Sequence, residues 1–450
     1  MRMDAGERRP DWPAHEALAV QTLGPCEHPS PLGLVDGHEP FTEADTRVLL
    51  CSDTTELRRF LDAGEPPPSF EPAGPRARVF FDPRQIACGI LTCGGICPGI
   101  NNVVRSLVLR LTYAYGVRRI LGFRYGYAGL AAPDVHAPIA LTPDLVEGIN
   151  DYGGTFLGSS RGPQDPGRMV ETLVQRDVGV LFVIGGDGGL RGASALAGEV
   201  ARRGLRIGVI GVPKTIDNDL QWTWQSFGFD TAVGAAATAI EAAHDEARSA
   251  WNGVGLVKLM GRQSGFIAAH ATMASGDVNF CLVPEVPFTL EGEGGFLDAL
   301  ERRLEAKRHA VVVVAEGAGQ DLLHDGRAPE HDASGNVKLK DVGVFLRDRI
   351  TAAFHARGKD VVVRYIDPSY AIRSRPADSF DAALCLALGQ HAVHAGMAGR
   401  TNMLVGVWNQ RFVHVPIPIA VATRRQLDPQ GEAWRRVLEA TGQAAALVGR

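Results

Sequence analysis

Short runs rich in β-branched residues alternate with helical stretches of Ala, Leu and Val from Arg78 onward. Two of these runs, 87–92 and 178–184, lead into glycine clusters, and a helical pattern follows each cluster. Strands that are buried on both faces of a parallel sheet carry such near-continuous apolar runs, and an intervening helix completes a βαβ unit. The pattern therefore predicts an α/β protein with parallel sheets.

The same texture continues along the chain. A run at 205–212 predicts a buried strand, and a helical pattern follows at about 231–250 with Asp230 as its candidate cap. The polar stretch 319–340 predicts a loop, and the charges at 301–308 indicate the solvated face of a helix. Further strands are predicted at 253–258, 310–315 and 361–363.

The first 76 residues have a different character. They are rich in Pro and charge, show little periodicity, and end in Pro66-Pro67-Pro68 and Pro72-Ala73-Gly74-Pro75. Such a composition is typical of irregular structure. We expect an N-terminal extension that covers a neighbouring part of the molecule or is partly disordered.

Composition narrows the class of protein. A chain of 450 residues is long enough for two or three domains. With 46 basic and 51 acidic residues the net charge is −5, so we expect neither nucleic acid nor a membrane surface as a partner. The seven cysteines form no CxxC pair, and no leader or long apolar run is evident. These features favour the reducing cytoplasm.

Candidate chemistry is concentrated at 213–219, whose sequence PKTIDND follows the predicted strand. Pro213 cannot continue a central ladder, so the strand should end there. If the chain stays extended, Asp217 and Asp219 share a face while Asn218 points away. Two acids, a hydroxyl and a lysine could then serve phosphoryl transfer, although the same residue types also form ordinary turns.

Two glycine-rich turns follow predicted strands, CGGICPG at 93–99 and GGDGG at 185–189. Backbone N–H groups in such a turn can bind phosphate at a helix N-terminus, but either turn could be only a tight corner. The P-loop and dinucleotide fingerprints are absent from the sequence. Asp187 would repel a phosphate unless Mg2+ lay between them, so the second turn favours a metal-bound nucleotide.

The chain resembles the 6-phosphofructokinase family over roughly residues 78–420. Seven segments carry the resemblance in the family's order: TCGGICPGINNVVR at 92–105, GGTFLGSSRG at 153–162, IGGDGG at 184–189, PKTIDND at 213–219, LVKLMGRQSGFIA at 256–268, AEGAGQ at 315–320 and YIDPSYAIRS at 365–374. Their sequences are most similar to those of the long-chain ATP-dependent plant and trypanosomatid branch. The resemblance implies an α/β fold with two αβα, Rossmann-like sandwich domains and an active site in the cleft between them.

The resemblance also implies domain bounds. It places an extension at 1–77, a nucleotide-binding domain at 78–228 that is completed by about 376–410, a sugar-phosphate domain at 229–375 and a C-terminal segment at 411–450. It further implies a homo-oligomer, a dimer or a tetramer, that acts on fructose 6-phosphate and ATP. Whether a neighbouring subunit completes the sugar site stays open, because the aligned region before MGR reads Trp251-Asn252-Gly253.

The same resemblance assigns catalytic roles. Asp217 is implied to be the general base that takes the proton of the sugar's 1-hydroxyl, Thr215 to hydrogen-bond the transferred phosphate, and Asp219 to assist with metal or substrate. Arg161 and Lys214 are the implied cations for the phosphoryl charge, although either could be a surface charge. The implied nucleotide-binding residues are Gly94, Gly95, Arg161, Gly185, Gly186, Asp187, Gly188, Gly189 and Lys214, with Asp187 holding Mg2+.

Fructose 6-phosphate combines a dianion with hydroxyls, which calls for arginines and hydrogen-bonding groups. The implied substrate-binding residues are Thr215, Asp217, Asp219, Met260, Gly261, Arg262, Glu316, Tyr370 and Arg373. Met260 could equally be a packing residue, and Arg364 could be a phosphate ligand or an exposed strand end.

The phosphoryl donor is the main open alternative. Gly188 favours ATP as the donor. Pyrophosphate-dependent members of the family resemble GGDD at this motif, with a second carboxylate at the position of Gly188, and that carboxylate would repel the α-phosphate of ATP. Lys214 favours pyrophosphate, because the pyrophosphate-dependent members have a lysine at the matching position. Gly189 stands where the family usually has a hydroxyl residue after GGDG. The leading prediction is a Mg-ATP-dependent 6-phosphofructokinase. The alternatives are a pyrophosphate-dependent enzyme, a NAD or lipid kinase, and a catalytically silent sugar-phosphate or nucleotide sensor.

Overall fold

A computed structural model describes residues 12–33, 41–43, 45–324, 326, 328, 330–331 and 337–449, and the elements below lie within them. The strands are β1 (Gln21–Thr22), β2 (His28–Pro29), β3 (Val48–Leu49), β4 (Ser69–Pro72), β5 (Arg78–Val79), β6 (Ala87–Thr92), β7 (Arg119–Phe123), β8 (Ile139–Ala140), β9 (Val178–Gly185), β10 (Gly208–Pro213), β11 (Gly253–Leu259), β12 (Phe280–Leu282), β13 (His309–Ala315), β14 (Val362–Ile366), β15 (Arg400–Thr401), β16 (Met403–Trp408) and β17 (Arg411–Pro416).

The α-helices are α1 (Thr54–Asp62), α2 (Ile100–Leu109), α3 (Gly126–Ala131), α4 (Pro166–Gln175), α5 (Asp187–Arg202), α6 (Phe229–Arg248), α7 (Phe266–Ser275), α8 (Phe296–Lys307), α9 (Val342–Ala356), α10 (Ser369–Arg373), α11 (Ser379–Met397), α12 (Ile417–Ala420) and α13 (Glu432–Thr441). A π-helical stretch, Arg110–Ala114, continues α2. Short 3-10 turns lie at His15–Leu18, Ile149–Asp151 and Gln320–Leu323.

Two sheets form the frame of the molecule. Within the described residues the larger sheet has nine strands in the order β3-β4-β17-β16-β10-β9-β6-β7-β8, and its centre, from β16 to β7, is parallel. The smaller sheet has four parallel strands in the order β12-β13-β11-β14. Helices lie between consecutive parallel strands of the chain, since parallel pairing requires a long crossover connection. The predicted α/β fold class with two sandwiches is therefore confirmed.

Alternating side chains on each sheet fill separate cores. On β9, Val180 and Phe182 pack in the core that also holds α2 and α11, whereas Leu181 and Val183 face the core of α3, α4 and α5. On β13, Val311, Val313 and Ala315 join the first of these cores, and the even-numbered residues pack against α8 and α9. One continuous core, completed by α6 and α7, thus joins the two sheets and holds them in a defined relation.

The N-terminal extension contains more regular structure than its composition indicates. Strands β3 and β4 add to the edge of the larger sheet through β17, and β1 and β2 pair with β15 and β5. The side chain of Asp53 caps α1 by accepting bonds from the backbone of Thr55 and Glu56. The prediction of an irregular extension is wrong for these residues. Hydrogen bonds to distant strands stabilise their strand structure, and local sequence periodicity does not reveal such bonds. Residues 1–11, 34–40 and 44 lie outside the described residues.

Most predicted elements agree with the structure, with local corrections. Strand β10 begins three residues later than predicted and includes Pro213, which pairs with Gly185 as the final residue of the strand. Gly228, and not Asp230, caps α6; the Asp230 carboxylate lies in the first turn and accepts a 2.7 Å bond from Gln225. In the predicted loop 319–340, residues 325, 327, 329 and 332–336 lie outside the described residues, and the chain forms one 3-10 turn at its start.

None of the helices in the described ranges combines the length and the apolar character needed to cross a bilayer.

Candidate active site

The chemistry-bearing segments meet at the carboxyl ends of strands from both sheets. Strands β6, β9 and β10 of the larger sheet lead into the two glycine turns and PKTIDND, while β11, β13 and β14 of the smaller sheet lead into MGR, AEG and the 367–373 segment. In parallel α/β folds ligands bind outside these carboxyl ends. The shared location brings the sequence motifs, otherwise far apart in the chain, to one cleft.

The segment after Pro213 is a turn and not an extended strand. Asn218 has a left-handed backbone with φ of 53°, and its side-chain oxygen accepts a 3.0 Å bond from the backbone N–H of Ser226. Its amide nitrogen donates to the carbonyl of Trp224 at 3.3 Å, so the side chain is directed away from the cleft. The extended interpretation is wrong, yet the turn still separates Asn218 from the two acids.

Three side chains of this turn form the reactive group. The Thr215 hydroxyl donates a 2.6 Å hydrogen bond to Oδ1 of Asp219, and both residues are buried. The backbone N–H of Asp217 donates to the Thr215 oxygen at 3.3 Å, and Ser264 donates to the carbonyl of Asp217 at 3.3 Å. These bonds hold the backbone of Asp217 between the two sheets.

The Asp217 carboxylate has an unusual environment. The residue as a whole is partly exposed at the cleft, but its Oδ1 is shielded from solvent and has no hydrogen-bond partner among the described residues. Burial, followed by the charges of Asp219 and Glu316, raises the pKa of Asp217 to about 8, with Arg424 and Arg262 opposing that rise. A shielded carboxyl with a raised pKa is suited to proton transfer near neutral pH.

The first glycine turn borders a cleft of about 370 Å³, which is lined by Gly94, Gly95, Ile96, Thr155, Ser159, Ser160, Arg161 and Arg373. The Nζ of Lys214 donates a 2.8 Å bond to the carbonyl of Gly95, and Ser159 donates to the carbonyl of Gly94 at 2.6 Å. Arg161 is exposed at the mouth of this cleft. The predicted cations Arg161 and Lys214 therefore lie beside the first turn, together with Arg373 from the smaller sheet's side.

The second glycine turn begins α5. Gly185 ends β9, Gly186 is the N-cap, and Asp187 is the first helical residue. A Cβ atom on Gly188 would have no heavy atom within 4 Å, whereas one on Gly189 would lie 2.6 Å from the Cys93 sulfur. Position 188 thus has room for a side chain, and position 189 does not while Cys93 is present.

Two arginines hold Asp187. Arg191, one turn along α5, donates to Oδ2 from Nε at 3.1 Å, and its Nη2 lies 3.1 Å from Oδ1 without the alignment of a hydrogen bond. Arg424 places Nη2 at 3.7 Å from the Asp187 Oδ2 and Nη1 at 3.3 Å from the Asp219 Oδ2. Cationic groups therefore already surround this carboxylate.

The predicted sugar-side residues line the opposite wall. Gly261 has φ of 130°, and a Cβ there would lie 2.5 Å from the carbonyl oxygen of Ser264, so this turn requires glycine. Arg262 donates to the carbonyl of Val337 at 2.6 Å, and Met260 packs partly buried against the shared core. Burial raises the pKa of Glu316, against the opposing charge of Arg262.

The last predicted pair lies on α10. Tyr370 is 75% exposed, and the guanidinium carbon of Arg373 lies 4.6 Å from its ring centroid. The Nε of Arg373 is shielded and has no hydrogen-bond partner among the described residues. Arg364 instead points to the surface, where its Nε is 3.3 Å from Glu246 Oε2 with both side chains more than half exposed.

Sequence reasoning missed several charged residues of this site. Arg424 and Arg191 contact the predicted carboxylates, and Lys258 bridges Asp341 at 2.9 Å and Asp367 at 2.8 Å beneath the sugar-side wall. Lys258 lies within the quoted segment LVKLMGR, and a lysine that interrupts an apolar strand run was an available signal. Arg424 lies in a C-terminal stretch without a recognised motif, and only the adjacent pair Arg424-Arg425 marks it.

The donor set at Asp187 fits Mg2+ brought in with a nucleotide. No group of three or more His, Cys, Asp or Glu side chains that could hold an ion occurs among the residues that the structure describes. Mg2+ is commonly bound by one or two carboxylates, with substrate phosphates and waters filling its other positions. Oδ1 of Asp187 is shielded and has no hydrogen-bond partner among the described residues, so this carboxylate could supply one such ligand, with Asp219 nearby across Arg424.

A match to the family model described as Phosphofructokinase covers residues 87–396. The chain belongs to the phosphofructokinase family, as its motifs predicted. It is 51% identical over 437 residues to the ATP-dependent 6-phosphofructokinase of Amycolatopsis methanolica, with 95% of each chain covered. It is 49% identical over 374 residues to the enzyme of that name from Trypanosoma cruzi, covering 82% of this chain and 76% of the relative.

The resemblance to plant and trypanosomatid members is likewise confirmed. ATP-dependent 6-phosphofructokinase 7 of Arabidopsis thaliana is 46% identical over 379 residues, with 84% of this chain and 78% of the relative covered. Among solved structures, the pyrophosphate-dependent phosphofructokinase of Marinobacter aquaeolei superposes with a TM-score of 0.66 at 21% identity, covering 79% of this chain and 91% of that one. At that identity the likeness shows the fold alone.

Proposed function

We propose that this protein is an ATP-dependent 6-phosphofructokinase, which phosphorylates the 1-hydroxyl of fructose 6-phosphate to give fructose 1,6-bisphosphate and ADP. The observation that carries the proposal is the shielded Asp217 Oδ1 without a hydrogen-bond partner, at the point where the glycine turns and the sugar-side wall meet. A group that is left unsatisfied in this way indicates a missing partner, and a substrate hydroxyl supplies one.

Asp217 acts as the general base in this proposal. Its ionised carboxylate takes the proton of the 1-hydroxyl, and the resulting oxygen forms a bond to the γ-phosphorus of ATP. The bond between that phosphorus and the β–γ bridging oxygen breaks, and ADP leaves with the electron pair. Thr215, whose hydroxyl now donates to Asp219, is placed to hydrogen-bond the transferred group.

The remaining residues position the two substrates. The N–H groups that open α5 at Gly186, Asp187 and Gly188 form the positive end of a 16-residue helix, which favours a phosphate. Arg161 and Lys214 add positive charge beside the first glycine turn. Asp187, assisted by Asp219, would hold Mg2+, which when bound neutralises phosphate charge on the nucleotide.

The sugar phosphate is assigned to the opposite wall. Arg262 and Arg373 present guanidinium groups to its dianion, and Glu316 and Tyr370 offer hydrogen-bonding groups to its hydroxyls or phosphate. Met260 and Gly261 fix the course of the chain after β11. Placing the 1-hydroxyl between this wall and Asp217 would satisfy the geometry of an in-line transfer.

ATP is the proposed donor. The named relatives at 45–51% identity are ATP-dependent enzymes, and Gly188 leaves the α-phosphate region without a second carboxylate. Pyrophosphate is the second candidate, and Lys214 is the observation that favours it, because its ammonium lies beside the first turn where it could neutralise a compact donor. ATP is the preferred donor because repulsion by a carboxylate at position 188 would exclude the α-phosphate, whereas attraction by Lys214 is compatible with either donor.

A steady-state assay with each donor tests the proposal. The purified protein is supplied with fructose 6-phosphate, Mg2+ and either ATP or pyrophosphate, and formation of fructose 1,6-bisphosphate is followed. We expect the higher kcat/KM with ATP. A higher value with pyrophosphate would select the second candidate, and no turnover with either donor would favour a silent sensor.

Further features of the proposal concern organisation. We assign the nucleotide to residues 78–228 with about 376–410, and the sugar phosphate to 229–375. A homo-oligomer, a dimer or a tetramer, and a cytoplasmic location complete the proposal. An Arabidopsis thaliana relative at 46% identity is named chloroplastic, so fractionation of the source cells would test the compartment directly.

A further inference from the structure

The C-terminal stretch 420–427 is attached to the catalytic turn by backbone bonds. Leu220 and Arg424 form an antiparallel bridge, and the N–H of Arg425 donates to the carbonyl of Asp219 at 2.8 Å. The N–H of Gln221 donates to the carbonyl of Ala420 at 3.2 Å. The position of Arg424 beside PKTIDND is therefore fixed by its backbone, independently of its own side chain.

The Arg424 side chain joins two carboxylates from different motifs. Nη1 lies 3.3 Å from Oδ2 of Asp219 in PKTIDND, and Nη2 lies 3.7 Å from Oδ2 of Asp187 in GGDG. The side chain is 25% exposed, compared with 16% for Asp187 and 8% for Asp219. One guanidinium thus connects Asp187, the carboxylate assigned to the metal, with Asp219, the acid near the general base, and a quarter of the Arg424 side chain remains exposed.

We infer that Arg424 is a further catalytic residue, whose guanidinium donates hydrogen bonds to the transferred phosphoryl group when the nucleotide is bound. The inference rests on the proposed function. In the structure Arg424 is paired with both Asp187 and Asp219. Asp187 and Asp219 would hold the Mg2+ that accompanies the nucleotide, and the terminal phosphate would bring new negative charge within reach of Arg424.

Charge and geometry both support this exchange of partners. A guanidinium can present two parallel N–H donors to a phosphate. In its contact with Asp219, Arg424 uses only Nη1, at 3.3 Å from Oδ2. The two carboxylates lower the free energy needed to keep the Arg424 cation in the site. During transfer, the negative charge on the γ-phosphoryl oxygens needs such a cation. Because the backbone of Arg424 is fixed, only side-chain rotation is required.

A purely structural role for Arg424 is the competing explanation. In that case the side chain would only hold the 420–427 stretch against the catalytic turn. The backbone bonds of Arg425 and Gln221 already do so, and neither involves the Arg424 side chain, so we expect them to persist when it is truncated. The two roles differ in their consequences for catalysis, for nucleotide binding and for chemical rescue.

The test uses the full chain with Arg424→Ala, Arg424→Lys and the control Arg436→Ala, a residue of α13 whose side chain is 63% exposed. Steady-state kcat and both KM values are measured with ATP and fructose 6-phosphate, without and with added guanidinium ion. Binding of the non-hydrolysable analogue Mg-AMPPNP is measured by calorimetry, and the melting temperature of each variant is recorded.

We expect Arg424→Ala to lower kcat about 100- to 1,000-fold, the range typical of losing one donor to a transition-state oxyanion. Added guanidinium should restore several-fold activity, Arg424→Lys should retain an intermediate rate, and Mg-AMPPNP should bind Arg424→Ala more weakly. The control should match the wild type throughout. A kcat within threefold of wild type for Arg424→Ala, or a loss that guanidinium does not relieve and that accompanies a large fall in melting temperature, would overturn the inference.

The outcomes for the two proposals can be separated. A wild-type chain that binds Mg-AMPPNP but does not phosphorylate fructose 6-phosphate would overturn the proposed function. The calorimetric comparison would still show whether Arg424 contacts the phosphates of a nucleotide. Equal affinity of wild type and Arg424→Ala for Mg-AMPPNP would count against that contact.

Discussion

The sulfur of Cys93 occupies the space that a side chain on Gly189 would need, since a Cβ there would lie 2.6 Å from it. The first glycine turn and the N-terminus of α5 are thereby in close contact. The Tyr127 hydroxyl also donates to the carbonyl of Gly189 at 2.7 Å, which adds a second contact to the start of the helix. The replacement of a hydroxyl residue by Gly189 is thus coupled to a neighbour 96 positions away in a different motif (189 minus 93).

Gly189→Ser should therefore be destabilising on its own. We expect a loss of about 1–3 kcal/mol in unfolding free energy, as for other overpacked sites, measured by denaturant unfolding. Cys93→Ala combined with Gly189→Ser should recover part of this loss, because the smaller side chain vacates the contested space. Strict additivity of the two single changes would contradict direct contact between the residues.

Asp217→Asn should remove the general base while keeping its shape. We expect kcat to fall roughly 100- to 10,000-fold, with KM for both substrates changed far less. Unchanged turnover would remove Asp217 from the mechanism. The same variant should melt at a higher temperature than wild type at pH 8, because an amide carries no charge to be desolvated beside Asp219 and Glu316.

The activity should depend on pH through the same carboxyl. Because burial raises the pKa of Asp217 to about 8, the base is mostly protonated at neutral pH. We expect kcat/KM to rise about tenfold per unit as pH increases toward 8 and then to level off. A profile flat between pH 6 and pH 9 would contradict the assignment.

A rise in pH should lower the stability contribution of Asp217 while it raises the activity. Asp217 has a folded pKa above its value in the unfolded chain, so its favourable contribution is complete below the unfolded value of about 4 and is lost as pH rises through about 8. Wild type should thus become less stable relative to Asp217→Asn over this interval. Melting curves of both proteins at several pH values provide the measurement.

Gly188→Asp tests the choice of donor. A side chain at this position meets no heavy atom within 4 Å of its Cβ, so the fold should tolerate the change. The added carboxylate should lower kcat/KM for ATP far more than for pyrophosphate, since it repels the α-phosphate that only ATP places there. Gly188→Asn is the matched neutral control, and equal losses with both donors would refute the electrostatic explanation.

Arg373→Ala should mainly affect the sugar phosphate. Its guanidinium lines the cleft beneath Tyr370, and loss of a charged hydrogen bond to phosphate typically costs about 1.5–3 kcal/mol, or roughly 10- to 150-fold in KM for fructose 6-phosphate. KM for ATP should change little. Arg364→Ala is the control, because Arg364 pairs with Glu246 at the surface; an equal rise in KM for that variant would indicate that a neighbouring copy brings Arg364 to a substrate.

The sequence by itself determined the strands and most of the candidate residues. Buried parallel strands such as β6, β9, β11 and β13 carry apolar runs whose ends can be read directly, and PKTIDND, GGDG and MGR keep their chemistry in short contiguous motifs. Family membership followed from these motifs. Local patterns predict local structure because a few neighbouring residues supply the hydrogen bonds and buried surface that stabilise it.

Only the tertiary structure decided how distant residues combine. The short strands β3 and β4 are stable because β17 pairs with β4, and Arg424 reaches Asp219 across 205 positions of sequence. The turn at Asn218 is set by its bonds to Ser226 and Trp224, so an extended chain was the wrong expectation there. Contacts of this kind depend on which strands become neighbours in a sheet, and no periodicity within a single segment records that choice.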